Sequence, residues 1–385
     1  MKSLLFSLFL LIAVQSCTLP RAPKLAGGLI VSRSLFRTGM NKDVACYRIP
    51  SLVTTPNGDL IAAIDERVGS CRDLNANKDI NIVVRRSTDN GRTWTGIERV
   101  IDYPDGISAS DPSMIVDRVT GDILLFYNYM DHNTEPDIYF LHVVRSRDNG
   151  LSWGKPRDIT AQITLPDWRS DFKFITSGRG IQTRSGLLLH TLVNLKHGLH
   201  LFGSDDHGMS WRFFDTAVIP GDESKVVELN DGRWMINSRV NGAGLRYVHV
   251  SADEGLTWQS RPDSALIDPG CNGSIIRYTS VRDGYLINRL LFANAQSDSG
   301  RTNLTVRISY DEGLSWTPGK TIYGGSAAYS SLTVLENGGI GLFFEKDEYT
   351  ENVFVSFSLE WLTDGRDSLS KEAPDLAGNT AFGSR

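Results

Sequence analysis

The sequence predicts an all-β protein, built as a propeller of four-stranded antiparallel blades. Two observations carry this prediction, namely the composition and a repeated octapeptide. The 385 residues are 41% hydrophobic and include 36 glycines, which suits a globular chain with many turns between strands. The octapeptide Ser-x-Asp-x-Gly-x-x-Trp occurs five times, beginning at Ser87, Ser146, Ser204, Ser251 and Ser309. A unit that recurs about every 50 to 60 residues indicates one supersecondary motif per repeat, as in a propeller blade.

Each octapeptide repeat is predicted to form the turn of a β-hairpin. Strand-like runs precede the repeats, such as INIVVRR before Ser87 and LTVRI before Ser309. Asp and Ser side chains bond readily to nearby backbone N–H groups, Gly permits a positive φ, and the Trp can cover the hairpin. An active site needs different groups around one substrate, whereas five identical turns would lie at five places. We therefore predict a structural role for the repeats.

The N-terminus has the features of an export signal. Lys2 precedes the apolar run Leu4–Val14, which is too short to cross a bilayer. The sequence around Cys17 resembles a bacterial lipoprotein signal, in which this cysteine is lipidated; simple cleavage to a periplasmic form is the alternative. The chain is thus expected to be exported to the periplasm, outer membrane or cell surface, with a lipid as its one membrane contact. The predicted segments are a signal peptide at 1–17, a tether at 18–26, the propeller domain at 27–365 and a polar tail at 366–385.

Charge and cysteine content exclude several classes of function. The formal net charge is -5, and Lys and Arg form no run, so a nucleic-acid partner is not expected. Neither H-E-x-x-H nor C-x-x-C occurs, and no metal or other cofactor is predicted. In an oxidising compartment at most one disulfide is expected, and Cys46 with Cys71 is the candidate pair.

A second motif, Tyr-Arg-Ile-Pro at 47–50, adds a family resemblance. Together with the five repeats it resembles the exo-sialidase (neuraminidase) family of glycoside hydrolases, over roughly residues 27–365. The resemblance implies a six-bladed propeller, with the substrate at the centre and the repeats on the outer rim. It also implies sialylated glycans as partners and catalysis without a metal.

Three arginines are expected to bind the substrate. Sialic acid carries a carboxylate on its anomeric carbon, and planar guanidinium groups match a carboxylate bidentately. The resemblance implies Arg48, Arg239 and Arg301 for this role. Arg307 is the rival of Arg301, but it lies in a strand that leads directly into a repeat, so we favour Arg301.

The same charge argues for an unusual nucleophile. A carboxylate nucleophile would be repelled by the substrate's own carboxylate, and sialidases use a tyrosine instead. The resemblance implies Tyr329 as nucleophile and Glu223 as the base that accepts its proton. It places the general acid on a loop at Asp73, with Asp79 as the alternative. We expect burial beneath the bound substrate to raise the pKa of Asp73.

Three supporting residues complete the expected site. The resemblance implies that Arg67 reaches a ring hydroxyl, that Asp111 lines the same side, and that Glu345 braces Arg48. Trp168 could form a platform for the leaving sugar, but a Trp is more often part of the core packing, and both interpretations stay open. The predicted reaction is retaining exo-α-sialidase hydrolysis through a tyrosyl-enzyme; transfer to a sugar hydroxyl, or to the substrate's own, could use the same site. A non-catalytic sialoglycan-binding propeller would be expected to lack some of these groups.

Overall fold

The computed structural model describes residues 25–371. The predicted signal peptide, Cys17, most of the tether and residues 372–385 lie outside this range. Within it the chain forms these strands: β1 (Val31–Arg37), β2 (Val44–Thr54), β3 (Leu60–Val68), β4 (Ile80–Ser87), β5 (Glu98–Ile101), β6 (Ile107–Val116), β7 (Ile123–Asp131), β8 (Phe140–Ser146), β9 (Arg157–Asp158), β10 (Lys173–Ile175), β11 (Gly178–Arg179), β12 (Ile181–Gln182), β13 (Leu188–Asn194), β14 (Gly198–Ser204), β15 (Arg212–Val218), β16 (Ser224–Glu228), β17 (Trp234–Ser238), β18 (Leu245–Ser251), β19 (Gln259–Ile267), β20 (Ser274–Thr279), β21 (Arg289–Ala295), β22 (Thr302–Ser309), β23 (Lys320–Val334), β24 (Ile340–Lys346) and β25 (Glu351–Phe357).

Helical segments are few and short in the described range. They are α1 (Thr160–Ile163), α2 (Leu359–Leu362) and three 3₁₀ turns, Leu74–Ala76, Pro166–Trp168 and Val281–Asp283. None of the helices between residues 25 and 371 has the length and apolar character needed to cross a bilayer.

The strands form mostly antiparallel sheets in a propeller-like arrangement, as predicted. Strands β2–β5 and β16–β19 make two four-stranded sheets in chain order. Strands β6–β9 form a third sheet, to which β11 adds in parallel beside β6. The fourth sheet has the order β10-β13-β14-β15, with β12 also paired to β13. The fifth has seven strands in the order β1-β25-β24-β23-β22-β21-β20.

The predicted six separate four-stranded sheets are therefore not observed, because hydrogen bonds join the strands of the described residues into five sheets. The reason is the 15-residue strand β23. Its first part, Lys320–Ser326, pairs with β22, and its second part, Ala327–Val334, pairs with β24. One long strand thus connects two groups of strands that the sequence would separate.

The two ends of the described chain meet in the seven-stranded sheet. Strand β1 pairs antiparallel with β25, from Val31 opposite Ser356 to Arg37 opposite Glu351. This pairing covers the edge of β25 and removes a template for unwanted strand addition. Residues beyond the predicted domain end at 365 also pack here, since Arg289 donates to the Asp367 carboxylate through Nε at 2.7 Å.

All five octapeptide repeats form the predicted turn with the same hydrogen bonds. In the first repeat Ser87 Oγ donates to Asp89 at 2.8 Å and accepts from Gly91 N at 2.9 Å. Gly91 has φ +85°, and a Cβ there would lie 2.1 Å from the Phe354 ring of the preceding group of strands. The glycine is thus required both for its φ and for this close approach, and the repeat fastens neighbouring sheets together.

The inner strands bring one end of each sheet to a common centre. Leu52 N of β2 donates to Ser331 Oγ of β23 at 3.0 Å, and Leu332 N donates to Ser274 Oγ of β20 at 3.0 Å. Ser51 Oγ donates to the Gly178 carbonyl at 2.5 Å. These bonds fix the inner strands relative to one another, so side chains at their ends can share one site.

Candidate active site

A cavity of about 340 Å³ lies at one end of the inner strands. Seven of the predicted site residues line it, although they come from distant parts of the chain. They are Arg48, Asp73, Asp111, Glu223, Arg239, Arg301 and Tyr329. The two other predicted residues, Arg67 and Glu345, are fully buried beside the cavity and contact its lining.

A tyrosine and a glutamate form the centre of the cavity floor. Tyr329 Oη donates to Glu223 Oε2 at 2.7 Å. Arg239 Nη1 donates to the same carboxylate oxygen at 2.5 Å and lies 3.3 Å from Tyr329 Oη. Burial raises the pKa of Tyr329 well above its ordinary value, and the negative charge of Glu223 raises it further. The phenol therefore keeps its proton and donates it to the Glu223 carboxylate.

Glu345 holds two parts of the site in place at once. One carboxylate oxygen accepts from Arg48 Nε at 3.0 Å and from Ile49 N at 2.9 Å. The other accepts from Arg48 Nη2 at 3.3 Å and from the backbone N–H of Tyr329 at 3.1 Å. The predicted contact with Arg48 is thus present, and the same carboxylate also fixes the backbone of Tyr329.

Arg301 differs from the other two cavity arginines because neutral oxygens hold it. Its Nη1 donates to Tyr349 Oη at 3.2 Å, and its Nη2 donates to the Gly270 carbonyl at 3.2 Å. The Tyr349 ring also lies against Arg48, whose Cζ is 3.8 Å from the ring centroid. Tyr349 therefore links two guanidinium groups, and Arg301 keeps an uncompensated charge facing the cavity.

Asp73 stands at the rim of the cavity with its side chain 75% exposed. Arg67 Nη1 donates to Asp73 Oδ1 at 2.7 Å, and Arg48 Nη1 lies 3.9 Å from the same oxygen. Burial alone would raise the pKa of Asp73, but the charge and hydrogen bond of Arg67 outweigh it and hold this pKa below its ordinary value. The structure thus shows a lowered pKa for Asp73, whereas the raised pKa expected from the sequence concerns Asp73 beneath a bound substrate.

The loop that carries Asp73 is fastened by a disulfide and by an arginine. Cys71 is bonded to Cys46 of β2, which is the predicted pair. Arg67 Nη1 also donates to the Cys71 carbonyl at 3.0 Å. The rim loop therefore has covalent and polar attachments close to the Asp73 side chain.

Two acids lie behind Arg67: Asp65 is fully buried, and Asp111 is partly exposed at the cavity wall. Asp65 Oδ2 accepts from Arg67 Nη2 at 3.0 Å, and Asp65 Oδ1 accepts from Asp111 N at 2.9 Å. Asn128 Nδ2 donates to the Asp111 carboxylate at 3.0 Å. Burial raises the pKa of both acids, and in Asp111 the charge of Asp65 adds to that effect. Arg67 is thus held from both sides, by Asp65 and by Asp73.

Three of the weighed candidates lie away from the cavity. Arg307 is buried in β22, and Asp79 lines a separate surface depression with Asp105. Trp168 is 2% exposed, and its ring stacks on His197 with centroids 5.0 Å apart. The interpretation of Trp168 as a sugar platform is wrong, because the ring is part of the core beneath β15.

The sequence argument missed several residues of the site. Asp65 lies two positions before Arg67 in β3, so both side chains point to one face of the strand, and this spacing could have identified it. Asn241 Oδ1 accepts from Arg239 Nε at 2.7 Å, and Tyr349 contacts two arginines, but neither residue belongs to a recognisable motif. An apolar wall of the cavity was also missed; it consists of Tyr139, Phe172, Phe174 and Leu195.

Comparisons with known proteins identify related chains. Residues 58–342 match the family model described as a BNR repeat-like domain. A sialidase of Micromonospora viridifaciens is 38% identical over 344 residues, which cover 82% of this chain and 52% of that protein. A sialidase of Bacteroides fragilis is 29% identical, with 78% of this chain and 60% of that protein covered. The chain thus spans between half and two thirds of the length of these two relatives.

Solved structures show the same fold. A Hadza microbial sialidase superimposes with a TM-score of 0.78 at 28% identity, over 86% of this chain and 69% of that one. An intramolecular trans-sialidase from Ruminococcus gnavus superimposes with a TM-score of 0.73 at 20% identity, over 88% of this chain and 99% of that one.

Proposed function

This chain belongs to the sialidase family that carries BNR repeats, and we propose that it is a retaining exo-α-sialidase acting on terminal sialic acids of glycans. One observation carries the proposal. The hydrogen bond of 2.7 Å between Tyr329 and Glu223 lies in the same cavity as three guanidinium groups from different sheets. A neutral nucleophile with an adjacent base, next to a carboxylate-binding cluster, fits a sugar whose reacting carbon carries a carboxylate.

Arg301 is the proposed first contact of the substrate carboxylate, because its acceptors among residues 25–371 are neutral oxygens. Arg48 and Arg239 already have carboxylate partners in Glu345 and Glu223. When the substrate carboxylate binds Arg239, the ion pair between Arg239 and Glu223 weakens. Glu223 then becomes a stronger base toward the Tyr329 proton.

In the first chemical step Tyr329 Oη bonds to the anomeric carbon while the glycosidic C–O bond breaks. Glu223 takes the phenolic proton, and Asp73 gives its proton to the leaving oxygen. In the second step Asp73 takes a proton from water, whose oxygen bonds to the anomeric carbon. The bond to Tyr329 breaks, and the proton returns from Glu223 to the phenolate. Two inversions give net retention.

Asp73 can serve as the acid only if its pKa rises after binding. The substrate carboxylate would compensate the charge of Arg48, and the sugar would cover the exposed side chain of Asp73. The first change removes a smaller effect that lowers the pKa of Asp73, and the second adds desolvation, which raises it. Both act against the larger effect of Arg67 and raise the pKa of Asp73 toward the working range of an acid.

Within the apolar wall, Phe172, Phe174 and Leu195 are the proposed contacts for the N-acyl group, since this wall is the apolar side of an otherwise charged cavity.

We also propose that the seven-stranded sheet acts as two blades sharing β23, which gives six blades in all. The apolar N-terminus and the disulfide favour export to an oxidising compartment.

Proton NMR of the purified protein with α2,3-sialyllactose tests the function. Early appearance of the α-anomer of free sialic acid, before mutarotation, is the expected result. An anhydro product or transfer to added lactose would keep the site but identify a trans-sialidase. Tyr329→Phe should lose most turnover while still binding sialic acid, and Tyr310→Phe, on an exposed side chain, is the matched control. Unchanged hydrolysis by Tyr329→Phe would overturn the proposed nucleophile.

A further inference from the structure

A second arginine-lined cavity lies at the opposite end of the same inner strands. It has a volume of about 290 Å³ and is called the far cavity here; its lining includes Arg118, Arg179, Arg277, Asp283 and the strand ends at Thr54 and Thr333. Strand β2 carries Arg48 toward the active site and Thr54 toward the far cavity. Strand β23 likewise contributes Tyr329 to the active site and Thr333 to the far cavity. The two cavities are therefore on opposite faces of the propeller.

The charges that line the far cavity do not balance. Arg277 is paired with Glu312, and Asp283 is paired with Arg184 at 3.3 Å. No carboxylate of the described chain lies within 4.0 Å of the Arg179 or Arg118 guanidinium. The far cavity thus contains two positive groups without a counter-charge.

Arg179 is held in this state by the fold. Its Nη1 donates to the Leu332 carbonyl at 3.1 Å, while its Nε is shielded from solvent and has no acceptor among the described residues. Burial and, to a lesser extent, the charge of Arg118 together lower the pKa of Arg179 to about 10. A guanidinium that is shielded, under-bonded and repelled by a neighbour gains strongly from a bound anion.

Arg118 is positioned to share such an anion. Its Nη2 donates to the carbonyls of Gln182 at 2.9 Å and Thr183 at 3.1 Å. These bonds fix the guanidinium at the cavity wall without neutralising it. Arg118 therefore resembles Arg301 of the active site, whose guanidinium is also oriented by neutral oxygens and can bind an anionic ligand.

We propose that the far cavity binds a small oxyanion, a phosphate, sulfate or carboxylate group, between Arg179 and Arg118. The site is separate from the catalytic cavity and does not depend on the proposed reaction. Planar guanidinium groups suit all three anions, since each presents two oxygens to a bidentate donor.

Isothermal titration at pH 7 and constant ionic strength tests the proposal, with inorganic phosphate, sulfate and acetate as probes and chloride as the balancing salt. At least one probe should bind, and the one that binds best identifies the preferred group. Arg179→Gln and Arg118→Gln should each weaken that binding about tenfold or more, because a charge-assisted hydrogen bond contributes about 1.5–3 kcal/mol. Arg147→Gln, on a side chain that is 75% exposed, is the matched control.

Arg301→Gln separates the two cavities. Binding that persists in Arg301→Gln but weakens in Arg179→Gln and Arg118→Gln supports the far cavity. Binding that disappears in Arg301→Gln and persists in the other two variants would assign the anion to the active site and overturn the proposal. The absence of binding of all three probes at about 50 mM would also overturn it. Arg118 is exposed, so its variant keeps the test valid if Arg179→Gln does not fold.

Discussion

Replacing Glu345 with Gln should destabilise the protein and slow its reaction together. Each Glu345 oxygen accepts two hydrogen bonds, and the four donors belong to Arg48, Ile49 and Tyr329. A Gln amide would place N–H donors against two of these donors and would leave Arg48 with only the more distant Asp73 carboxylate, at 3.9 Å, as a counter-charge. Removal of one partner from a buried ion pair costs about 3–5 kcal/mol. With an unfolding entropy of about 0.7 kcal/mol/K for roughly 350 residues, the Tm should fall by about 4–7 °C.

The assay is thermal unfolding of Glu345→Gln beside Glu348→Gln, followed by steady-state hydrolysis of an aryl sialoside. Glu348 lies in the next turn and is exposed, so the same chemical change there should leave the Tm within about 1 °C. Because Glu345 fixes both an arginine and the Tyr329 backbone, kcat/KM should fall about 10- to 100-fold, as expected for a displacement approaching 1 Å. If Glu345→Gln unfolds at the wild-type temperature and keeps its kcat/KM, the bracing role of this carboxylate is refuted.

Three further predictions concern other contacts. Tyr349→Phe removes the oxygen that accepts from Arg301 but keeps the ring, so KM should rise about two- to tenfold with kcat nearly constant; a purely structural role would leave KM unchanged in the folded variant. Cys71→Ser removes a disulfide between residues 25 positions apart, and the free energy of unfolding measured with urea should fall by about 3 kcal/mol. If the wild type is equally stable with and without reductant, this prediction is contradicted. Burial lowers the pKa of Lys225 to about 7. Between pH 7 and pH 10 this lysine is therefore largely neutral in the folded protein but protonated in the unfolded chain, so the free energy of unfolding should rise with pH. Lys225→Met should remove that rise, measured by urea unfolding at pH 7 and pH 9, and an unchanged slope would argue against it.

The local parts of the fold were predictable, and the long-range pairing was not. In each repeat the hydrogen bonds of the Ser and Asp side chains link residues two to four positions apart, so the eight-residue sequence determines the turn. The continuity of β23 depends instead on two partners, β22 and β24, that bind its two parts. Gly324 and Gly325 stand near the middle of this strand and would favour a break in any local argument.

The same distinction applies to the site. Motifs such as Tyr-Arg-Ile-Pro identify residues whose neighbours in sequence are characteristic. Tyr349 has no such neighbours: it ends a run of three residues with positive φ, Asp347, Glu348 and Tyr349, none of which is glycine. That backbone is imposed by tertiary contacts, such as the bond from Glu348 N to Ser326 Oγ at 3.2 Å, and costs local strain that sequence patterns would avoid. For Trp168 the sequence could not distinguish a core position from a cavity position, because a single Trp among polar residues is compatible with both.

The arginines that line the two cavities fall into two groups, those paired with a carboxylate and those held by neutral oxygens. Arg48 and Arg239 are paired with carboxylates, so an arriving anion must compete with a partner that is already bound. Arg301 and Arg179 are oriented by neutral oxygens, so an anion gains the full interaction without displacing a charge. A carboxylate substrate should therefore owe more of its affinity to Arg301, and more of its orientation to the two paired arginines. The same reasoning directs attention to Arg179, which no motif marks and which lies on the face away from the proposed chemistry.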